Sequence, residues 1–201
     1  QIYSVGFPSI ILSSITSVTT ALINIILGNF TPTAIAVYGI YFKLNSIIFM
    51  PVFGLNSGIV PIIAYNYGAR NYKRLKSAIK TGLLMAFAIM FIGMLIFLIF
   101  PSQLLKIFSA SDEMLKIGVP AMRIIATSFC GAAIAIVLGS VFQSVQSAML
   151  SMIVSVCRQV IVLLPSAWLL SLSGNINLIW LCFPIAELAS VGLSLIFYKR
   201  V

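Results

Sequence analysis

LKSAIKTGLLMAFAIMFIGMLIFLIF, residues 75–100, decides the fold class. Beyond Lys80 it carries no charged side chain, and a helix of that length, rising about 1.5 Å per residue, crosses the hydrocarbon core of a bilayer. Five stretches of the same character surround it, residues 4–28, 33–64, 114–142, 147–172 and 176–198. Each meets the requirement of about 20 apolar residues for a spanning helix. The composition agrees: 61% of residues are hydrophobic and 7% charged, where soluble domains carry about 25% charge. The sequence therefore predicts an all-α integral membrane protein, a bundle of six transmembrane helices forming a single lobe over residues 1–201. The first stretch lacks the basic flank and small-residue cleavage site of a signal peptide. Gln1, in place of an initiating Met, leads us to expect a fragment or excised half.

Basic residues set the expected orientation, because loops rich in Lys and Arg remain in the cytoplasm during insertion. Arg70, Lys73, Arg74, Lys76 and Lys80 follow the second stretch and Lys199 and Arg200 follow the sixth, while Lys106 and Lys116 stand at the opposite surface near Asp112 and Glu113. Both termini are expected in the cytoplasm and the chain in the plasma membrane, a bacterial inner membrane being the expected setting. The net charge of +9 is then a topology signal. A nucleic-acid partner would need a basic face on a soluble module; the bilayer is the expected partner, with the cluster from Arg70 to Lys80 placed to touch anionic headgroups. Cys130, Cys157 and Cys182 have no metal-like spacing and read as small hydrophobes.

Within the second stretch, Pro51, Gly54, Gly58 and Pro61 predict a kinked or unwound segment, since proline removes a donor and crowds the preceding turn. Such breaks are tolerated where protein or water satisfies the freed carbonyls, as along a transport pathway. Gly54 and Gly58 also form a Gly-x-x-x-Gly surface for close helix approach, and Gly131, Ala135 and Gly139 form a second ridge. Polar residues at helical spacing mark inward faces: Ser9, Ser13, Ser17, Thr20 and Asn24 on the first helix, Ser147, Ser151, Ser155, Arg158 and Gln159 on the fifth, Trp180, Pro184, Glu187, Ser190 and Ser194 on the sixth. Lys43, Arg123, Arg158 and Glu187 fall inside the stretches, where a charge at the centre costs about 2.5 to 3.5 kcal/mol facing lipid. They should therefore line a wet cavity, pair or snorkel. Arg158 and Glu187 lie about 16 and 18 Å from the same end at 1.5 Å per residue. A short loop at Ser173–Asn175 makes their helices antiparallel neighbours, so the two side chains are expected to meet, either as a static bridge or as part of a pathway.

The chain has no His, no nucleophile-elbow or zinc motif and no phosphate loop. Asp112 and Glu113 follow Ser111, as at a capped helix start. The sequence thus predicts no enzyme, no metal site and no cofactor, and any active transport must draw on an ion gradient.

Gly6-Phe7-Pro8, the segment Gly54–Gly68 with Ala64-Tyr65-Asn66-Tyr67-Gly68-Ala69, Phe142-Gln143, Cys157-Arg158-Gln159 and Phe183-Pro184-Ile185-Ala186-Glu187 occur in an order and spacing covering nearly the whole chain. Together they resemble the carboxyl-terminal six-helix lobe of the multidrug and toxic compound extrusion (MATE) family. The resemblance implies a second, amino-terminal six-helix lobe as partner, a cleft between the lobes, and export of amphipathic, often cationic, small molecules in exchange for H+ or Na+ by alternating access. Glu187 is then the candidate for cation or proton interaction, with Arg158 tuning it and Asn45, Asn56 and Gln159 offering neutral hydrogen bonds. Some members use carboxylates in the first and fourth helices of this lobe, but here the first helix has no acid and Asp112 and Glu113 lie at the outer surface; the Gly- and Lys-bearing turn that members tend to have after Phe-Gln reads Gln146-Ser147-Ala148. Two alternatives stay open. One is a lipid-linked oligosaccharide flippase of the same superfamily, in which Lys43, Arg123 and Arg158 would hold a pyrophosphate; the other is a non-transporting membrane scaffold.

Overall fold

The computed structural model describes the backbone of residues 2–199 and the side chains of residues 14–199. Gly6-Phe7-Pro8, Ser9, Ser13 and Arg200 consequently lie outside the described side chains. The helices are α1 (Ile2–Gly28), α2 (Pro32–Gly68), α3 (Tyr72–Ile99), α4 (Pro101–Lys106), α5 (Asp112–Ala126), α6 (Phe129–Ser144), α7 (Ala148–Val156), a π-helical segment (Cys157–Leu163), α8 (Leu164–Ser171), α9 (Ile176–Ile179) and α10 (Cys182–Tyr198). Grouped by continuity they give six segments, five of them long and apolar enough to cross a bilayer when the bent pair counts as one. α2, α3, the run from Ala148 to Ser171 and the run from Ile176 to Tyr198 are each long and apolar enough to cross a bilayer. α5 and α6 do so as a pair bent by 49°, and α1 contributes 27 residues.

The starts of these helices follow from local chemistry. Pro32 occupies the first turn of α2, where its missing donor is harmless, and the Thr31 hydroxyl accepts from the Thr33 amide at 3.3 Å. Asn71 caps α3 by accepting from the Arg74 amide at 3.2 Å, and Ser111 caps α5 by accepting from the Met114 amide at 3.3 Å. Asp112 and Glu113 lie in the first turn of α5, where carboxylates complement the helix dipole.

α2 packs on α3, α3 on α6, and α6 on α10, which in turn meets the π segment. The interior is aromatic and aliphatic, with Trp180, Phe97, Phe129 and Met90 fully enclosed and the rings of Phe97 and Phe129 5.1 Å apart. A smaller cluster of Ile63, Leu75, Ile79, Val141 and Val145 closes the end that bears the basic residues. Large apolar side chains such as Met50, Leu84 and Leu188 stay exposed, as a lipid-facing or partner-facing exterior requires.

Three features correct the sequence expectations. α2 is helical without interruption through Pro51 and Pro61, with no unwound segment. Each proline removes one hydrogen bond from a helix of 37 residues, and the turns on either side hold the winding. A break falls in the fourth span, expected to be continuous. There the Thr127 and Ser128 hydroxyls both donate back, at 2.7 Å, to the Ile124 and Ile125 carbonyls. Their own amides shorten to bonds three residues back, and the helix bends. Thirdly, Gly54 and Gly58 are exposed with no neighbour where a Cβ would stand, so they form no helix contact within the lobe. Close approach is made at Gly82 and Gly93, against Ile59 and Ile48 of α2.

Candidate functional site

Two cavities enter the bundle and meet at Phe53, Ile136 and Arg158. The first, of about 590 Å³, is walled by aromatic rings of α2 and α10 and by the polar face of α1: Tyr38, Tyr41, Phe49 and Phe183 with Thr16, Thr19 and Thr20. Its rings form a connected set, with Tyr41 and Phe183 5.8 Å apart, Tyr38 and Phe183 6.1 Å, and Tyr38 and Tyr41 6.0 Å. The second, of about 760 Å³, lies toward the basic end of α2 and is lined by hydroxyls and amides, among them Asn56, Ser57, Gln143, Ser151 and Ser155. Gln143 Nε2 donates to Ser151 Oγ at 3.2 Å, joining α6 to α7 within that wall.

Arg158 sits in both walls. Its Nη1 donates to Glu187 Oε2 at 3.1 Å, so the structure brings together the two charges whose depths matched in the sequence. This is the single ion pair among the described residues. Glu187 is buried, and its Oε1 has no donor among the described residues. A buried polar atom left in that state costs about 1 to 3 kcal/mol unless something else meets it. Thr19 Oγ1, on the aromatic cavity, and Asn56 Oδ1, on the polar one, are unpartnered in the same way. Each of these residues stands in a cavity wall, with the unmet atom itself enclosed.

Three local devices position the pair. Arg158 and Gln159 stand in the π segment, where the Leu164 amide bonds to the Gln159 carbonyl five residues back. Pro165, just beyond, lacks a donor for the Ile161 carbonyl and crowds it, which favours the wider turn. Glu187 rests against α6 at Gly131, where an added Cβ would come within 3.1 Å of Glu187 Cγ. The ridge of Gly131, Ala135 and Gly139 thus lets α10 and α7 approach α6, with Ser151 Oγ 3.5 Å from a Cβ at Gly139.

Of the remaining residues singled out by sequence, Gln159 and Asn45 line the aromatic cavity, and Asn56 and Pro61 line the polar one. Tyr41 Oη donates to Asn45 Oδ1 at 3.3 Å. Pro51, Gly54, Gly58, Lys43 and Arg123 line neither cavity. Lys43 is exposed on α2, turned away from buried Tyr41 and Leu44. Arg123 is exposed in the last turn of α5, where a cation complements the carbonyl end of the helix. The trio required to hold a pyrophosphate is therefore not assembled around either cavity.

Sequence reasoning missed Tyr38, Tyr41, Phe183, Thr19 and Ser128. The first two were findable, because Tyr38, Tyr41 and Asn45 share one face of a helix by their spacing. Among the described residues there is no group of three or more His, Cys, Asp or Glu able to hold a metal. The cysteines are free, Cys182 buried and Cys130 and Cys157 half-buried.

The MatE family model matches residues 8–169. A multidrug export protein MepA of Staphylococcus saprophyticus is 27% identical over 198 residues, covering 98% of this chain and 44% of that protein. A MepA of Staphylococcus aureus is 35% identical over 92 residues, 46% of this chain and 20% of that protein. The chain therefore spans less than half the length of these relatives. Among solved structures, a multidrug resistance MATE family transporter of the MOP superfamily in an outward-facing conformation superposes with a TM-score of 0.91 at 17% identity, over 99% of this chain and 45% of that one. An inward-facing conformation of such a transporter gives 0.91 at 16%, over 99% and 47%. A MOP superfamily transporter from Pyrococcus furiosus, described as having a binding pocket of reverse polarity, gives 0.91 at 16%, over 99% and 45%.

Proposed function

The chain belongs to the MatE family, whose model accounts for most of its length, and from that premise we propose that it is one lobe of an ion-coupled exporter of amphipathic, often cationic, small molecules. Membership places it among multi-pass transporters of the cell membrane and not among enzymes. The remaining lobe would supply the opposite wall of the cleft. With its basic corner in the cytoplasm, both ends of the chain face inward and the aromatic cavity opens toward the outside.

The observation that carries this reading is the position of the Arg158–Glu187 bridge, at the place where the two cavities meet. Glu187 has one oxygen on Arg158 and one without a donor. An incoming H+ or Na+ would satisfy the free oxygen and weaken the hold on Arg158, and departure of the ion would restore it. Arg158 reaches both cavities, so releasing it changes the charge presented to each. The equal likeness of the lobe to outward-facing and inward-facing structures supports motion of whole lobes about a nearly rigid interior. A ligand cation would then be held in the aromatic cavity by rings and by neutral groups such as Asn45 and Gln159.

The test uses the protein that contains this chain in sealed vesicles, following efflux of a fluorescent organic cation under an imposed H+ or Na+ gradient. Gradient-driven efflux in the wild type, lost in Glu187→Gln while cation binding persists, is expected. Unchanged coupled efflux in Glu187→Gln would remove Glu187 from the mechanism, and absence of coupled efflux in the wild type would remove the exporter reading.

A further inference from the structure

The transport reading leaves the basic corner between α2 and α3 unused, and we propose that this corner is a binding site for anionic phospholipid headgroups. The placement follows from helix length. α3 has 28 residues, about 42 Å of helix. Its portion from Thr81 to Ile99 carries no charge and is about 29 Å long, matching a hydrocarbon core of about 30 Å. The turns from Tyr72 to Lys80 are thereby set in the headgroup layer. Lys73, Arg74, Lys76 and Lys80 all stand there exposed, and Arg70 is exposed on the corner itself. Lys73, Lys76 and Lys80 share one face of the helix by their spacing.

Among the described residues nothing neutralises these charges. Its three acids are Asp112 and Glu113, near Lys106 and Lys116, and Glu187, already paired. None of the corner's cations takes part in an ion pair among the described residues. Tyr198 packs against the small apolar cluster at this end, which brings exposed Lys199 to the same surface.

The corner is also rigidly built. Arg70 holds a left-handed backbone at φ 55, the Asn71 amide bonds to the Asn66 carbonyl at 2.9 Å, and the Asn71 side chain caps α3. Tyr65 and Tyr72 are exposed beside it, as amphipathic rings are at a membrane interface. A fixed, uncompensated cationic surface at headgroup depth fits a lipid phosphate better than a soluble partner.

The experiment is native mass spectrometry of the protein containing this chain, titrated in parallel with phosphatidylglycerol and with phosphatidylcholine. A basic side chain at the surface contributes about fivefold to binding of an anionic lipid. The triple variant Lys73→Gln, Arg74→Gln, Lys76→Gln should therefore lose about a hundredfold in phosphatidylglycerol preference. The pair Lys106→Gln, Lys116→Gln at the other end should keep it. Both lipids are measured on one preparation, so a folding defect lowers both and leaves the ratio intact. The proposal is overturned if the triple variant keeps its preference within about twofold, or if the Lys106, Lys116 pair loses as much.

Discussion

Removing Arg158 should destabilise the lobe far more than neutralising Glu187, although the two groups make one bridge. The asymmetry comes from their surroundings: the Glu187 side chain is 9% exposed and the Arg158 side chain 33%. Arg158→Met strips the last donor from a carboxylate whose other oxygen already has none. Leaving a buried charge without its partner costs about 3 to 5 kcal/mol, and the lower end applies because the cavity beside Arg158 admits water. Glu187→Gln keeps an oxygen to accept from Nη1 and leaves the guanidinium its exposed third, so the loss should be about 1 kcal/mol. The double variant Arg158→Met, Glu187→Gln removes both charges and leaves one neutral amide short of a donor, a loss of about 1 to 2 kcal/mol. The double-mutant cycle should therefore show a coupling of about 2 to 3 kcal/mol. Reversible unfolding in mixed micelles, followed by fluorescence of Trp168 and Trp180, measures all four proteins. Equal losses in the two single variants, with an additive double variant, would refute the buried-pair reasoning.

Two further expectations concern close contacts. Gly131→Ala puts a Cβ 3.1 Å from Glu187 Cγ; it should lower stability by about 1 kcal/mol and depress coupled efflux by a larger factor than cation binding, whereas normal efflux in that variant would show that the position of Glu187 is not critical. Gly93→Ala places a Cβ 2.5 Å from Ile48 Cγ2 and should cost about 1 to 3 kcal/mol. Ile48→Ala should rescue much of that loss in the same melts, and a lack of rescue would mean that the α2–α3 contact is not what Gly93 serves.

The spans were legible because a bilayer imposes a length and a polarity on each segment, and both can be read along one chain. The meeting of Arg158 and Glu187 was legible for a related reason: a short loop fixes the register of two antiparallel helices, so equal depth implies proximity. The glycines were not. Gly54 and Gly58 have the spacing that permits close packing, yet close packing also needs a large side chain on the facing helix, and Ile48 and Ile59 stand opposite Gly93 and Gly82 instead. A pattern on one helix says nothing of its neighbour's knobs. Lys43 and Arg123 stand exposed outside both cavities, and depth alone does not reveal which way a helix is turned. The bend at Thr127–Ser128 had a signal, two adjacent hydroxyls able to take the carbonyls of the preceding turn, but prolines drew the expectation to α2.

The π segment had a signal as well. Ser147, Ser151, Ser155, Gln159 and Leu163 recur every four residues, and Ser151, Gln159 and Leu163 are buried while Ser147 and Ser155 are half-buried. On a helix of 3.6 residues per turn a spacing of four drifts by about 40° at each step. Over the four steps from Ser147 to Leu163 the drift would reach about 160°, enough to carry the stripe from the cavities to the opposite surface. A wider turn takes up that drift, and Cys157–Leu163 supplies one at the point where the stripe passes from the polar cavity to the aromatic one. Arg158 adjoins Gln159 in that turn, so the same widening that keeps the polar stripe inward also holds the guanidinium beside Glu187. A stripe that keeps a spacing of four beyond three turns, followed by a proline, is therefore a readable sign of a π segment in a spanning helix.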